Sequence, residues 1–345
     1  HQPMFDSTGR YMIIHNGEVY NYIELRLELQ KCGVSFYSNT DTEVILYSYI
    51  LWGEKCIEKF NGMWAFCIYD KETNEIFISR DRFGIKPLYY YVDKKQFIFS
   101  SEIPPILKVI SNKPEANLKA IYNYLLYNRT DHQEYTFFKN INKLQHGNNL
   151  ILRNGEIKIK KWYSLIDKIK NSVGFESIDE YRDTLNSSVK FRLRSDVPIG
   201  VCLSGGIDSS SIVSTIIKSK ELLDLNTFSA IYGQNVIGDE SEFIDEYKKI
   251  LRNMYCIYPN GENLLIDLNS FIKTHAEPVP STGPYAQYKV MQLASKYVSV
   301  TLDGQGADEQ LAGYHYFYGF YYKDLLKNFR LFRLISEIFN YSYKH

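Results

Sequence analysis

The sequence predicts two halves of different build: an α+β, strand-rich part up to about residue 160, and an α/β part beyond it folded as a doubly wound parallel sheet. Three observations carry this. Hairpin signals punctuate the first part. Past Trp162, long helical patterns such as Ile178 to Leu193 alternate with short apolar runs at Ile199 to Leu203 and Val298 to Leu302. At 345 residues the chain is also long for one core, which favours two domains meeting between residues 160 and 175.

In chain order, Tyr11 to Ile14 is a short β-rich run expected to stop at Asn16-Gly17. Asn21 and Glu24 stand at the spacing of an N-cap and its reciprocal N3 partner, and Gly33 suits a C-terminal stop. These ends predict a helix, although Ile23, Leu25, Leu27 and Leu29 alternate like a strand. Residues 42 to 52 are long and apolar enough for a buried helix. MWAFCIYD and EIFISRD, joined through KETN, predict a hairpin, and LYYYV with QFIFSSE a second. Asn154-Gly155 inside NLILRNGEIKIKKWY marks a third. The aromatic stretch YHYFYGFYYKDLL, 314 to 326, reads as a buried helix. No repeat at fixed period and no low-complexity linker interrupts the chain.

Hydrophobic content of 45% and charged content of 23% describe an ordinary globular protein. Lys+Arg and Asp+Glu both number 40, so no global basic field would gather nucleic acid or an anionic membrane. Small-molecule chemistry is favoured instead. The five cysteines are scattered without CxxC spacing and read as buried thiols of a reducing cytoplasm. No apolar run reaches the roughly 18 residues of a membrane span, and no signal peptide opens the chain. It begins at His1 and ends on Tyr-Lys-His, so both ends are expected to be cut.

The chemistry concentrates in SGGIDSS, 204 to 210. It follows the strand Ile199 to Leu203 and opens a helix carrying Ile212, Val213, Ile216 and Ile217, so its N–H groups favour an anion. Gly205 and Gly206 allow close approach, while Ser204, Ser209 and Ser210 add hydroxyls. Asp208 would repel phosphate unless it orients the loop or holds Mg²⁺. A bland alternative is a glycine-serine turn capped by Asp208; a Walker loop is excluded, since no Gly-Lys-Ser/Thr follows. DGQGADEQLAGY, 303 to 314, repeats the arrangement after Val298 to Leu302. Two such ends side by side form the ligand crevice of an open α/β sheet. Asp308 and Glu309 are candidate metal or phosphate-side groups there, and Gly304 permits close approach.

SGGIDSS after an apolar strand resembles the loop of the ATP pyrophosphatase (PP-loop) family. Upstream stand NGEVYNY (16 to 22), NTDTE (39 to 43), FNGMWAF (60 to 66) and RDRFGIKPLYY (80 to 90). Together these motifs resemble the glutamine-hydrolysing asparagine synthetases over most of the chain. The resemblance implies an N-terminal-nucleophile (Ntn) glutaminase domain, an αββα sandwich lacking its first segment, over 1–165. It implies a PP-loop synthetase domain lacking its last part over 166–345. By resemblance, Asn16 and the Gly17 N–H form an oxyanion hole, and Glu18 and Asp41 complete the glutamine site with them. Leu203, Ser204, Gly205, Gly206, Asp208, Ser209, Ser210, Ile231, Asp303 and Gly304 would bind ATP and its pyrophosphate. Gln305 and Asp308 would face the acceptor, and Asp208 and Asp308 would hold Mg²⁺. Arg80, Asp81 and Lys86 are assigned to packing.

The implied reaction adenylates a carboxylate, aspartate first among candidates, and aminolyses it with ammonia from glutamine. Glutamine, ATP and the acceptor are the expected partners, and a homodimer is left open as the assembly. Departures qualify this. The family's nucleophilic N-terminal cysteine has no counterpart at His1, so the chain as it stands is expected not to release glutamate from glutamine. Gln305 stands where the family usually carries glutamate, and EPVPSTGPYAQY, 277 to 288, lacks the arginine expected near the acceptor. Rival readings are therefore an amidotransferase or cyclase with another carboxylate, or a catalytically incomplete nucleotide-binding fragment. A tRNA-modifying PP-loop enzyme would need a basic surface. His15, His275 and His315 receive no chemical role.

Overall fold

The computed structural model describes residues 1–219, 224–233, 236 and 239–344. They fall into two compact units, His1–Arg194 with Gly261–Ala286, and Ser195–Asn260 with Gln287–His345.

The first unit holds β1 (Met4–Phe5), β2 (Tyr11–Val19), β3 (Gly62–Asp70), β4 (Glu75–Arg80), β5 (Tyr89–Val92), β6 (Phe97–Ser100), β7 (Ile141–Lys143), β8 (Asn148–Arg153) and β9 (Glu156–Lys161). An antiparallel sheet runs β1-β2-β3-β4-β8-β9, and a smaller one β6-β5-β7. Side chains alternate across a strand, and here both faces are buried. Trp64, Phe66, Ile68 and Phe77 pack with the helices Tyr22–Lys31 and Asp41–Trp52. Ala65, Cys67, Ile78 and Leu150 point the other way, onto Leu88, Tyr90 and Leu144 of the small-sheet layer. Beyond that layer, helix Ile103–Val109 sets Ile103 and Ile106 against Ile141, Tyr89 and Tyr91. The layers are α, β, β, α, the sandwich expected.

Local signals account for most boundaries. Helix Tyr22–Lys31 buries Leu25 and Leu29, one turn apart, and leaves Ile23 and Leu27 exposed, so helical spacing overrides the apparent alternation. Its end is a Schellman motif: Val34 N donates to Leu29 O, Gly33 N to Gln30 O, and Gly33 has φ +88°. The expected capping box does not form. Asn21 instead bridges Lys59 O and Asn61 N, and the Glu24 carboxylate turns to Arg194. Thr40 does cap helix Asp41–Trp52, accepting from Glu43 N. Asn154 and Gly155 both have positive φ, as a type I′ hairpin turn demands. Asn16-Gly17 does not stop its strand: β2 runs on to Val19, with Gly17 opposite Trp64.

Near the start of β2, Arg10 donates from Nε and Nη2 to both oxygens of Asp70, at 2.9 and 2.7 Å. This pairing holds the Asp70 carboxyl well below the usual carboxylate range. A depressed carboxyl stabilises the fold above its ordinary titration range, and that contribution is lost as pH falls towards the folded value. Arg10→Gln is expected to lower stability modestly near neutrality, since the pair it removes is partly exposed. The gap to the parent should shrink as acid protonates Asp70, which urea unfolding at neutral pH and at the acid limit of the fold would measure.

The second unit contains β10 (Ile199–Cys202), β11 (Asn226–Ala230), β12 (Asn253–Ile257) and β13 (Val300–Leu302), all parallel in the order β12-β11-β10-β13. The chain adds β11 and β12 on one side of β10 and then returns to lay β13 on the other. Val201, Leu203, Val213, Ile216 and Phe228 are fully buried. Phe228 stacks on Tyr255 and packs with Val290, Ala294 and Val298.

Two further expectations are corrected. The aromatic stretch forms helix Tyr316–Lys327, but only Leu325 is buried. Its rings lie tilted against each other and against Tyr341 rather than filling a core. Of the cysteines, Cys56 and Cys67 are buried, Cys202 and Cys256 half-buried, and Cys32 exposed at the helix end that Gly33 terminates. Among the described residues, no helix is long and apolar enough to cross a membrane.

Candidate active sites

In the first unit, Asn16, Gly17 and Glu18 lie consecutively on β2, and Asp41 opens helix Asp41–Trp52 beside them. Val19 N donates to Asp41 Oδ2 at 2.9 Å, which fixes the carboxylate to the strand. The four predicted residues are thus brought together. Asn16 Nδ2 donates to Ser101 Oγ at 3.0 Å, orienting the amide and leaving its second hydrogen to give. Trp64, opposite Gly17, spends its N–H on the Asp81 carboxylate and its carbonyl on Asp81 N. Gly17 and Trp64 are therefore a non-hydrogen-bonded pair, and the Gly17 N–H points away from β3. An outward N–H beside a braced amide is the donor pair an oxyanion hole needs.

Gly17 has φ +149°, and a Cβ there would stand 2.1 Å from Met63 O. The strands approach closely only because the residue is glycine. Arg80 and Asp81 are structural as expected. Arg80 donates to the carbonyls of Lys86, Leu144 and Gly84. Asp81 accepts from Trp64, Phe83, Ile85 and Lys86 N. Sequence reasoning assigned no role to Ser101 or Thr42, which brace Asn16 and Asp41, although Thr42 lies inside NTDTE.

In the second unit, Leu203 follows β10, Ile231 follows β11 and Asp303 follows β13, all at carboxyl ends of adjacent strands. Leu203 N donates to Phe228 O, and Ile231 N to Ile257 O. Ser204 Oγ and Ser209 Oγ lie 3.0 Å apart, Gly206 N donates to Ser204 Oγ, and Ser210 Oγ donates to Gly205 O. The serines thus brace the loop from within. Gly205 (φ +98°) packs against Glu240, where a Cβ would meet Glu240 O at 2.6 Å. Glu240 is a neighbour that no motif announced.

Strand order reverses between β10 and β13, which is the crevice position of a doubly wound sheet. The two loops meet there, for a Cβ on Gly304 would stand 3.1 Å from Asp208 Cβ and from Ser209 N. Asp208 sits in the first turn of helix Ile207–Ser219, and Asp308 in that of helix Ala307–Leu311. Burial, then the charges of Asp308 and Glu309, push the Asp208 carboxyl above its ordinary value. Mutually repelling carboxylates at a helix N-terminus suit a cation bound together with phosphate. Among the described residues no group of three or more His, Cys, Asp or Glu could hold a metal by itself. Mg²⁺ bound with a nucleotide uses one or two carboxylates and the phosphates, so Asp208 and Asp308 fit it. Asp303 accepts from Gln287 Nε2 at 3.0 Å and from Gln305 N at 3.3 Å, while Gln305 is exposed.

These two arrangements define a class of protein: an amidotransferase-type sandwich joined to a nucleotide-binding parallel sheet. Residues 1–163 match the glutamine amidotransferase domain family, and residues 180–339 match the asparagine synthase family. A Methanocaldococcus jannaschii protein provisionally named glutamine-hydrolysing asparagine synthetase 2 is 40% identical over 316 residues, covering 88% of this chain and 59% of the relative. Glutamine-hydrolysing asparagine synthetase 1 of Bacillus subtilis is 34% identical, over 91% of this chain and 49% of its own length. Amidase chry2 of Gibberella zeae is 28% identical, over 92% and 49%. The chain thus matches two domain families in succession and is similar to glutamine-hydrolysing asparagine synthetases, of whose lengths it spans about half to three-fifths.

Proposed function

We propose that this chain carries the glutamine site and the nucleotide site of an ATP-consuming amide synthetase, in domains 1–165 and 166–345. The support that carries the reading is the pair of glycine-and-acid loops at the reversal of strand order, with Gly304 against Asp208. ATP would lie along Leu203 to Gly206, Ile231, Asp303 and Gly304, its pyrophosphate over the loop 204 to 210 at the N-terminus of helix Ile207–Ser219. Asp208 and Asp308 would hold Mg²⁺, which when bound supplies charge neutralisation for the leaving pyrophosphate. An acceptor carboxylate attacks the α-phosphorus, pyrophosphate leaves, and ammonia then displaces AMP to give the amide.

Glutamine supplies that ammonia in this reading. Asn16 and the Gly17 N–H stabilise the oxyanion, and Glu18 and Asp41 take the α-ammonium. Aspartate is the proposed acceptor, yielding asparagine. A second reading keeps the adenylation and changes the acceptor; Gln305 in place of the usual glutamate favours it, as does likeness to a relative named an amidase.

The test is calorimetric binding of Mg-ATP to this chain. It is followed by pyrophosphate release, with ammonium as nitrogen source, from a form extended to the relatives' length. Release stimulated by aspartate supports the first reading. Stimulation by another carboxylate alone supports the second, and absence of Mg-ATP binding sinks both.

A further inference from the structure

His15 is a buried group that the glutamine reading leaves unused. It precedes Asn16 on β2 and is 7% exposed. Gln2 clamps its backbone from both sides, donating from Nε2 to His15 O at 2.8 Å and accepting His15 N–H on Oε1 at 2.7 Å. The ring's two nitrogens face different things. Nδ1 lies 3.2 Å from Thr42 Oγ1 and 3.8 Å from Asp41 Oδ2. Nε2 is buried without a hydrogen-bond partner, 3.0 Å from where a Cβ on Gly17 would stand. The ring therefore touches the surroundings of both ends of the proposed glutamine site.

The tautomer follows from these neighbours. A lone pair on Nδ1 would confront the Asp41 carboxylate, whereas an N–H there faces two acceptors. With Nδ1 donating to Thr42 Oγ1, that hydroxyl is free to donate to Asp41 Oδ1, 3.3 Å away. Burial pushes the imidazole below its ordinary value, against the opposing pull of Asp41 and with the help of Lys86. The ring is then neutral at neutral pH.

We propose that His15 is a positioning residue of the glutamine site: it fixes Asp41 through the Thr42 hydroxyl while its ring edge seats Gly17. This rests on the assignment of Asn16, Gly17, Glu18 and Asp41 to glutamine. One imidazole then sets the spacing between the donor for the carboxamide oxygen and the acceptor for the α-ammonium. A group that orients a ligand-binding residue commonly contributes a tenfold effect without touching the ligand.

The experiment uses this chain with His15→Phe, His15→Asn and Thr42→Val, thermal unfolding of each, and long-range ¹H–¹⁵N spectra of the histidine ring. L-Glutamine is titrated by calorimetry. The expected results are a neutral Nδ1–H tautomer whose resonances move in Thr42→Val, and glutamine affinity about tenfold weaker in His15→Phe and Thr42→Val. His15→Asn, whose amide can still donate to Thr42, should recover most of that loss. An Nε2–H tautomer, or parental glutamine affinity in His15→Phe, overturns the proposal. If His15→Phe does not fold, the Thr42→Val and His15→Asn arms decide. If the parent chain binds no L-glutamine, the glutamine assignment falls by itself. The tautomer and its response to Thr42→Val then still uphold or overturn the His15–Thr42–Asp41 link.

Discussion

Asp208→Asn is expected to weaken Mg-ATP binding by about two orders of magnitude, about 2.7 kcal/mol. In the absence of divalent metal it should leave ATP binding unchanged or improve it. The opposite signs follow from the charge balance at the crevice. Burial already raises the Asp208 pKa, and the neighbouring charges of Asp308 and Glu309 raise it further. A bare polyphosphate adds to that repulsion, and a divalent cation reverses it. Under the proposed role, removing one carboxylate removes a ligand in one condition and a repulsion in the other. Calorimetry in magnesium and in chelator checks this. Equal weakening in both conditions would mean that Asp208 only caps its helix.

The second large effect belongs to Gly17→Ala, expected to cost about 4 kcal/mol of stability. A Cβ at this position would stand 2.1 Å from Met63 O and 2.8 Å from Trp64 Cα. Both are backbone atoms of the paired strand, so relief requires β2 and β3 to separate. Gly155→Ala is the control. Gly155 also has positive φ (+79°) but nothing within 4 Å of a new Cβ. Conformational strain alone should cost it about 1 kcal/mol. Urea unfolding of the two variants separates strain from collision; equal losses would contradict the close approach of the strands.

These glycines also show where the sequence was legible. Asn154-Gly155 and Asn16-Gly17 are the same dipeptide, yet one turns a hairpin and the other lies mid-strand. The difference comes from Trp64, which is 47 residues after Gly17 in the chain and invisible to any local window. Caps and hairpins depend on neighbours in sequence and could be read. The Asn21 cap failed because Lys59 and Asn61 competed for its side chain. The placement of SGGIDSS between strand and helix followed from periodicity. That Gly304 lies on Asp208 did not, since it needs the register of β13 against β10. Helix Gly261–His275 groups with the first unit, where Glu277 accepts from Phe137 N and Tyr124 donates to Val279 O. No pattern within 261–286 points to those distant partners.

The strand order of the second unit also bears on how the protein assembles. β10 and β11 can pair once a single helical crossover is made, but β13 must find β10 from about a hundred residues away. Between them the chain adds β12 and contributes 261–286 to the other unit. Closing so long a loop is entropically costly and slow, so the β10–β13 pairing should be among the last native contacts to form. That pairing also aligns Asp208 with the 303–309 loop. Competence to bind nucleotide would then appear only in the final folding phase, and added Mg-ATP should slow unfolding more than it speeds folding.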